Sequence, residues 1–357
     1  MKGNRKMDFR KLAMAACLWC ACLGSVLAGE SAECAAGDAR TRSIVDMAGR
    51  RVVLPKDVRR IATVGSVPVL NGYLFALGAG ARIVNGLPSR FTATGRWRLH
   101  NAIAPHLADR PVLQGQATSE VSIEKLILLA PDVVLTMDPL RVRMLEAAKA
   151  PVVYLEWGSM SDIRANMRIL GCMLGCTQQS EAYLRYFEDT MERVRRTLDT
   201  VPQQARPKVL YFNPQTMSTP LLIANWWIAA AGGYSVTAGM EPAGSARYSH
   251  ERVLVWNPDI FIVNSPEQAE AVYRDERFSR INAVQNRRVY VTPMGAHSWG
   301  QRTVEQPLTV LWAAKVFHPQ PFAQIDMEDE IRDFYLRFFN YELSDDEIRA
   351  VLEGRSG

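Results

Sequence analysis

The sequence is short of cysteine, of net charge and of long apolar runs, and each shortage narrows what the chain can be. Six cysteines in 357 residues cannot form a dense disulfide framework. Three of them, Cys17, Cys20 and Cys22, crowd into the first 22 residues, where Cys17-Leu18-Trp19-Cys20 lacks the following histidine of a haem-attachment motif. No Gly-x-Ser-x-Gly elbow, Walker loop or dinucleotide Gly-x-Gly-x-x-Gly is present, which removes the common motif-bearing enzyme classes. Gly78-Ala79-Gly80 follows a helical pattern instead of preceding one, so it reads as a helix stop. The five histidines, at 100, 106, 250, 297 and 318, form no His-Glu-x-x-His pair. Beyond residue 28 no apolar stretch approaches the length of a bilayer span. What remains, with 48% hydrophobic and 22% charged side chains, is an ordinary globular composition with length for about two domains.

The charge that does exist is concentrated at one end. The formal net charge is +5, from 42 Lys and Arg against 37 Asp and Glu. Lys2, Arg5, Lys6, Arg10 and Lys11 precede residue 12, opposed only by Asp8. An apolar run from Leu12 to Ala28 follows, ending in Val26-Leu27-Ala28 before the polar Gly29-Glu30-Ser31. A basic region, an apolar core and small residues at −3 and −1 predict an export signal cleaved after Ala28, with an uncleaved anchor as the alternative. Without residues 1–28 the chain has 37 basic and 36 acidic residues, so a nucleic-acid partner loses its support. Cys34, Cys172 and Cys176 remain. The last two lie four apart in a helical stretch and read as small buried hydrophobes before a local disulfide or metal pair. Cys34 reads as functionally silent.

Periodicity then lays out the chain. Ile44 to Leu54 reads as a strand and turn, Arg60 to Gly65 as a buried strand, and the Leu70, Leu74, Leu77 stripe as a helix. Ile83-Val84 resumes a strand, residues 86–118 are loop-rich, and a helix from Ile123 to Leu129 precedes the strand Val133–Thr136. A helix from Arg141 to Ala148 and a strand from Val152 to Leu155 follow. Strand and helix alternating at short spacing predict parallel α/β architecture. Residues 161–200 read as almost continuous helix over two segments, one with the stripe Ile163, Met167, Leu170 and Leu174 and a second with Tyr183, Phe187, Met191, Val194 and Leu198 and with Arg and Glu on its other faces, fitting an exposed helix between two bodies. Pro202 and Pro207 end it, and Val209 to Phe212 opens a second α/β region.

A weak repeat links the two halves. Ser122-Ile-Glu124-Lys-Leu-Ile-Leu-Leu-Ala-Pro131-Asp132 matches Ser249-His-Glu251-Arg-Val-Leu-Val-Trp-Asn-Pro258-Asp259, with Ser, Glu, a base, Pro and Asp at identical offsets. Each copy predicts a serine-capped helix, a Pro-Asp turn and a buried strand. Equivalent lobes joined by a helix leave a cleft where small molecules bind.

With these features in order, the chain resembles the substrate-binding proteins of ABC importers, in the class that captures iron-siderophores, haem, cobalamin and related metal complexes. The resemblance rests on Asp46-Met-Ala-Gly49-Arg50 through Pro55, Leu74 to Gly80, the two repeated segments, Ala231-Gly232-Gly233, and Leu311 to Pro319 with Phe334-Tyr335 and Leu343-Ser344. It implies two Rossmann-like α/β lobes with mainly parallel sheets joined by a long α-helix. The corresponding boundaries are a signal peptide at 1–28, an N-terminal lobe at 29–158, a helical linker at 159–200 and a C-terminal lobe with terminal helices at 201–357. It also implies a monomeric periplasmic receptor that is not an enzyme, has no catalytic cofactor, holds an iron or other metal complex, and docks on a permease through Glu124 and Glu251. The structural alternative for each glutamate is a favourable place in its helix's first turn.

Loops after strands supply the ligand candidates. They are Arg90, Trp97 and Arg98 in the first half, and Tyr211, Trp226, Tyr248, His297, Trp299 and Arg302 in the second. Of the Trp226-Trp227 pair, only one is expected to face the cleft. A receptor for a bare divalent ion is the alternative, which needs His100 or His106, His250 or His297 and a carboxylate to converge, with His100 and His297 the first candidates; an exported α/β enzyme is a further one.

Overall fold

The fold, a computed structural model, is described for residues 35–36, 40–92, 97–115, 120–241 and 244–355; the leader and Cys34 lie outside the described residues. A hairpin of Thr41–Val45 and Arg51–Pro55 sets Ile44 opposite Val52. Its turn is built by Asp46, whose Oδ1 accepts the Ala48 and Arg50 amides at 3.0 Å while Gly49 takes a left-handed φ of 72°. The Asp46 Oδ2 also accepts the Tyr154 amide at 3.1 Å, so the Asp-x-x-Gly-Arg run pins the hairpin to the first sheet.

That sheet is parallel, in the order Ile61–Val64, Val133–Thr136, Val152–Tyr154. All its residues are buried, the pattern of strands covered on both faces. The strand expected at Ile83-Val84 is reduced to one parallel bridge between Ile83 and Ile61. A second sheet, also all parallel, runs Val289–Val291, Ile260–Val263, Lys208–Tyr211, Tyr234–Ser235. Between the sheets in sequence stand the helices Met160–Leu174 and Thr177–Leu198.

The repeat is reproduced to the level of single hydrogen bonds. Ser122 Oγ accepts the Lys125 amide and Ser249 Oγ accepts the Arg252 amide, each at 3.3 Å. Both helices, Ile123–Leu129 and His250–Trp256, end on left-handed residues, Ala130 and Asn257. Asp132 Oδ2 then accepts the Arg60 amide at 2.8 Å, and Asp259 Oδ2 the Lys208 amide at 2.9 Å, each reaching to the neighbouring strand. Two equivalent strand-pairing units thus occupy equivalent places in two sheets.

The two helical segments expected within 161–200 meet at Gly175, whose φ is 71°, and the two helices fold back on each other. Gly171 permits their approach: a Cβ there would lie 2.6 Å from the Cβ of Ser180. The longer helix is less exposed than its charge suggests, because Tyr183 and Tyr186 pack on Phe338 with ring centroids 5.5 and 5.2 Å apart. Terminal helices therefore clad the linker. Cys172 also departs from expectation. It is buried and disulfide-bonded, and since Cys176 is free, its partner lies outside the described residues.

Candidate ligand-binding cleft

Loops from the two sheets and a helix between them enclose a cavity of about 410 Å³. On one side, the chain leaving Val152–Tyr154 forms Trp157-Gly158-Ser159 and enters the helix Met160–Leu174. Asp162 Oδ2 holds this loop by accepting the Gly158 and Ser159 amides, both at 2.6 Å. The hydroxyls of Ser159 and Ser161 sit 2.6 Å apart on the wall. On the other side, Leu222, Ile223 and Trp226 project from the helix Leu221–Ala230, and Arg302 comes from the loop after Val289–Val291.

The electrostatics of this cavity are one-sided. Its described lining holds no acidic residue. Among the described residues, no hydrogen bond or ion pair engages Arg302. The indole walls are braced from behind: Trp157 packs on Tyr73 at 5.5 Å, and Trp226 stacks on Phe187 at 6.4 Å. A half-buried guanidinium, two hydroxyls and two braced indoles suit an anion that accepts charge-assisted hydrogen bonds with water partly excluded.

Trp226 and Arg302 are thus the predicted site residues brought together here, and Trp227 is the fully buried member of its pair. The others have different places. Trp299 is fully buried and donates its Nε1–H to Glu305 Oε1 at 3.0 Å. Tyr211 is buried, donates its hydroxyl to Asn264 Oδ1, and accepts from Gln301 Nε2 at 3.0 Å. Tyr248 packs against Trp256 at 5.0 Å. Arg98 is exposed beside a second cavity of about 370 Å³ that also meets Glu347 and Arg355. Arg90 belongs to the short helix Ser89–Thr92, and its side chain lies outside the description.

His100 and His297 sit where the two halves meet. His100 is fully buried: its Nδ1–H donates to the Ala296 carbonyl at 3.2 Å, and its Nε2 accepts from Asn71 Nδ2 at 3.1 Å. Burial pulls its pKa down to about 3, so the ring is neutral and both nitrogens are occupied. The His297 ring meets Trp97 edge-on at 4.9 Å, and burial lowers its pKa to about 4. The segment is organised by Glu305, whose buried carboxylate accepts from Trp299, Tyr335, the His297 amide and Thr303. Burial raises its pKa, and these four donors stand where a cation would otherwise be needed.

The cavity residues absent from the sequence reading are the run from Trp157 to Ser161 together with Leu222 and Ile223. The available signal was Ser159-x-x-Asp162, a capping pattern directly after a predicted strand. Glu124 and Glu251 are both exposed in the first turns of their repeated helices. Hydrogen bonding to Ser249 leads the effects that lower the Glu251 pKa, so that side chain is an anion at neutral pH.

Two parallel-sheet lobes, a helical connection and a binding cleft define a two-lobed solute receptor. The chain belongs to the periplasmic binding protein family, whose pattern it matches over residues 78–295. This is a family of extracytoplasmic solute-binding proteins of transport, not of enzymes. The chain is 24% identical over 330 residues to the molybdate-binding protein MolA of Haemophilus influenzae, covering 84% of this chain and 91% of that protein. The structure of MolA bound to molybdate shares the fold with a TM-score of 0.74 at 22% identity, over 85% of this chain and 99% of the other. A periplasmic solute binding protein from Veillonella parvula gives a TM-score of 0.75 at 27% identity, over 87% and 97%. CeuE of Helicobacter pylori, in a Ni-His complex, gives 0.70 at 18% identity, over 88% and 99%.

Proposed function

We propose that this periplasmic binding protein serves an ABC importer as the receptor for a small metal-containing anion, with molybdate as the first ligand to test. The observation that carries this reading is Arg302, an unpaired guanidinium in an acid-free cavity beside the Ser159 and Ser161 hydroxyls. The molybdate ligand of MolA agrees with that chemistry. A bare divalent ion is less well supported: among the described residues no group of three or more His, Cys, Asp or Glu could hold a metal. Export by a signal cleaved after Ala28, the boundaries 29–158, 159–200 and 201–357, a monomeric state, and permease docking through Glu124 and Glu251 complete the reading.

Trp157 and Trp226 on the cavity wall provide the assay. Titration with sodium molybdate is expected to change tryptophan fluorescence saturably, and Arg302→Gln to weaken binding at least about tenfold, equivalent to about 1.4 kcal/mol. A response to zinc or nickel alone, unaltered in Arg302→Gln, would overturn the anion reading.

A further inference from the structure

The repeated helices carry more than a glutamate each. Over Ile123–Leu129 and His250–Trp256 the burial sequence is the same at all seven positions, with one buried anchor apiece, Leu126 and Val253. The apolar residues beyond the anchor are turned outward in both copies. Ile127 is 50% exposed and Leu128 84%, while their counterparts Leu254 and Val255 are 43% and 76% exposed. Positions i, i+3 and i+4 share a helix face. Glu124, Ile127 and Leu128 therefore make one outward surface, and Glu251, Leu254 and Val255 make another of the same composition. Packing within the chain does not account for apolar residues this exposed on two separate helices.

We propose that these are two copies of one docking surface, in which Leu128 and Val255, backed by Ile127 and Leu254, supply the contact area and the two glutamates fix orientation. This rests on the permease-docking reading above and adds to it the apolar half of the contact. The partner is a protein presenting an apolar hollow beside a cation, and presenting that pair twice, as a two-fold or pseudo-two-fold assembly does. An anionic lipid surface is disfavoured as the occupant, because each apolar pair is coupled to a carboxylate on the same face. Exposed apolar side chains of this kind hold affinity through desolvation, whereas rim charges act on register and encounter.

The test uses the full mature receptor and the membrane-embedded permease complex of the same importer in nanodiscs, with binding read by biolayer interferometry. Leu128→Ser combined with Val255→Ser is expected to weaken the complex at least tenfold, with melting temperature and molybdate titration unchanged. Each single substitution is expected to produce part of the loss; an effect confined to one of them would overturn the equivalence of the two surfaces. Glu124→Gln combined with Glu251→Gln separates this inference from its foundation. If that pair loses binding and the serine pair binds as the native chain does, the apolar contact is refuted alone. If both pairs bind normally, the docking reading itself fails. Phosphatidylglycerol vesicles form the last arm: loss of vesicle binding by the serine pair, with permease binding intact, would assign the residues to lipid and overturn the proposal.

Discussion

His100 holds the junction of the two halves through its neutral ring, and that fixes how the protein answers acid. Its folded pKa of about 3 lies below the usual value of 6.5, so the unfolded chain takes up a proton that the folded chain refuses. Its contribution is fully present above pH 6.5 and is lost as pH falls toward 3, with a limiting slope of about 1.4 kcal/mol per pH unit. Glu305 has the opposite sign: its raised pKa favours the folded state at low pH, and that benefit is lost as pH rises through the folded value. Comparing melting temperatures of the native chain and His100→Gln between pH 7 and 4.5 isolates the histidine. The variant is expected to be less stable at pH 7 and to lose less stability on acidification; parallel curves would refute the assignment. These roles were not legible in sequence. His100, Trp299 and Tyr211 share the chemistry of ligand contacts, and only the long-range placement of Ala296, Glu305 and Asn264 turns them toward internal partners.

At the scale of elements the reading went further, because its signals were local. The helix Ile123–Leu129 and the strand Val133–Thr136 have the bounds expected, set by the Ser122 cap and the Pro131-Asp132 turn. The division of 161–200 into two helical segments was likewise legible, because the first stripe ends at Leu174, directly before Gly175. Trp157, Ser159 and Ser161 escaped because lining a cleft depends on which strand ends face the opposite lobe, a property of the assembled sheets. The hairpin of helices around Gly171 gives a direct test. Gly171→Ala places a methyl where Ser180 already stands and is expected to destabilise the fold by about 1–3 kcal/mol in urea denaturation. Adding Ser180→Gly is expected to recover part of that loss, whereas equal stability of both variants would show that the helices separate at little cost.

For the whole molecule, the halves are joined by more than the linker. His100 reaches Ala296 and Phe75 meets Phe339 at 6.0 Å, while from the linker the Tyr183 hydroxyl donates to the Val304 carbonyl at 2.7 Å. Such ties favour small adjustments over wide hinge opening. The disulfide at Cys172 fastens the first linker helix covalently to a residue outside the described ones. If the signal is cleaved after Ala28 as proposed, Cys34 is the cysteine left to complete it, since Cys176 is free. Non-reducing peptide mapping of the exported protein is expected to yield a Cys34–Cys172 pair with Cys176 alkylatable after unfolding. A free Cys34 would refute the pairing.

The bond at Cys172 also has a meaning in time. Cytosolic thiol buffers keep such a pair reduced, so the chain awaiting export lacks a staple whose native counterparts contribute about 2–4 kcal/mol. A precursor held short of its full stability is easier to thread through a translocation channel. In a chain exported as proposed, oxidation on the far side would lock the fold only after the crossing is complete.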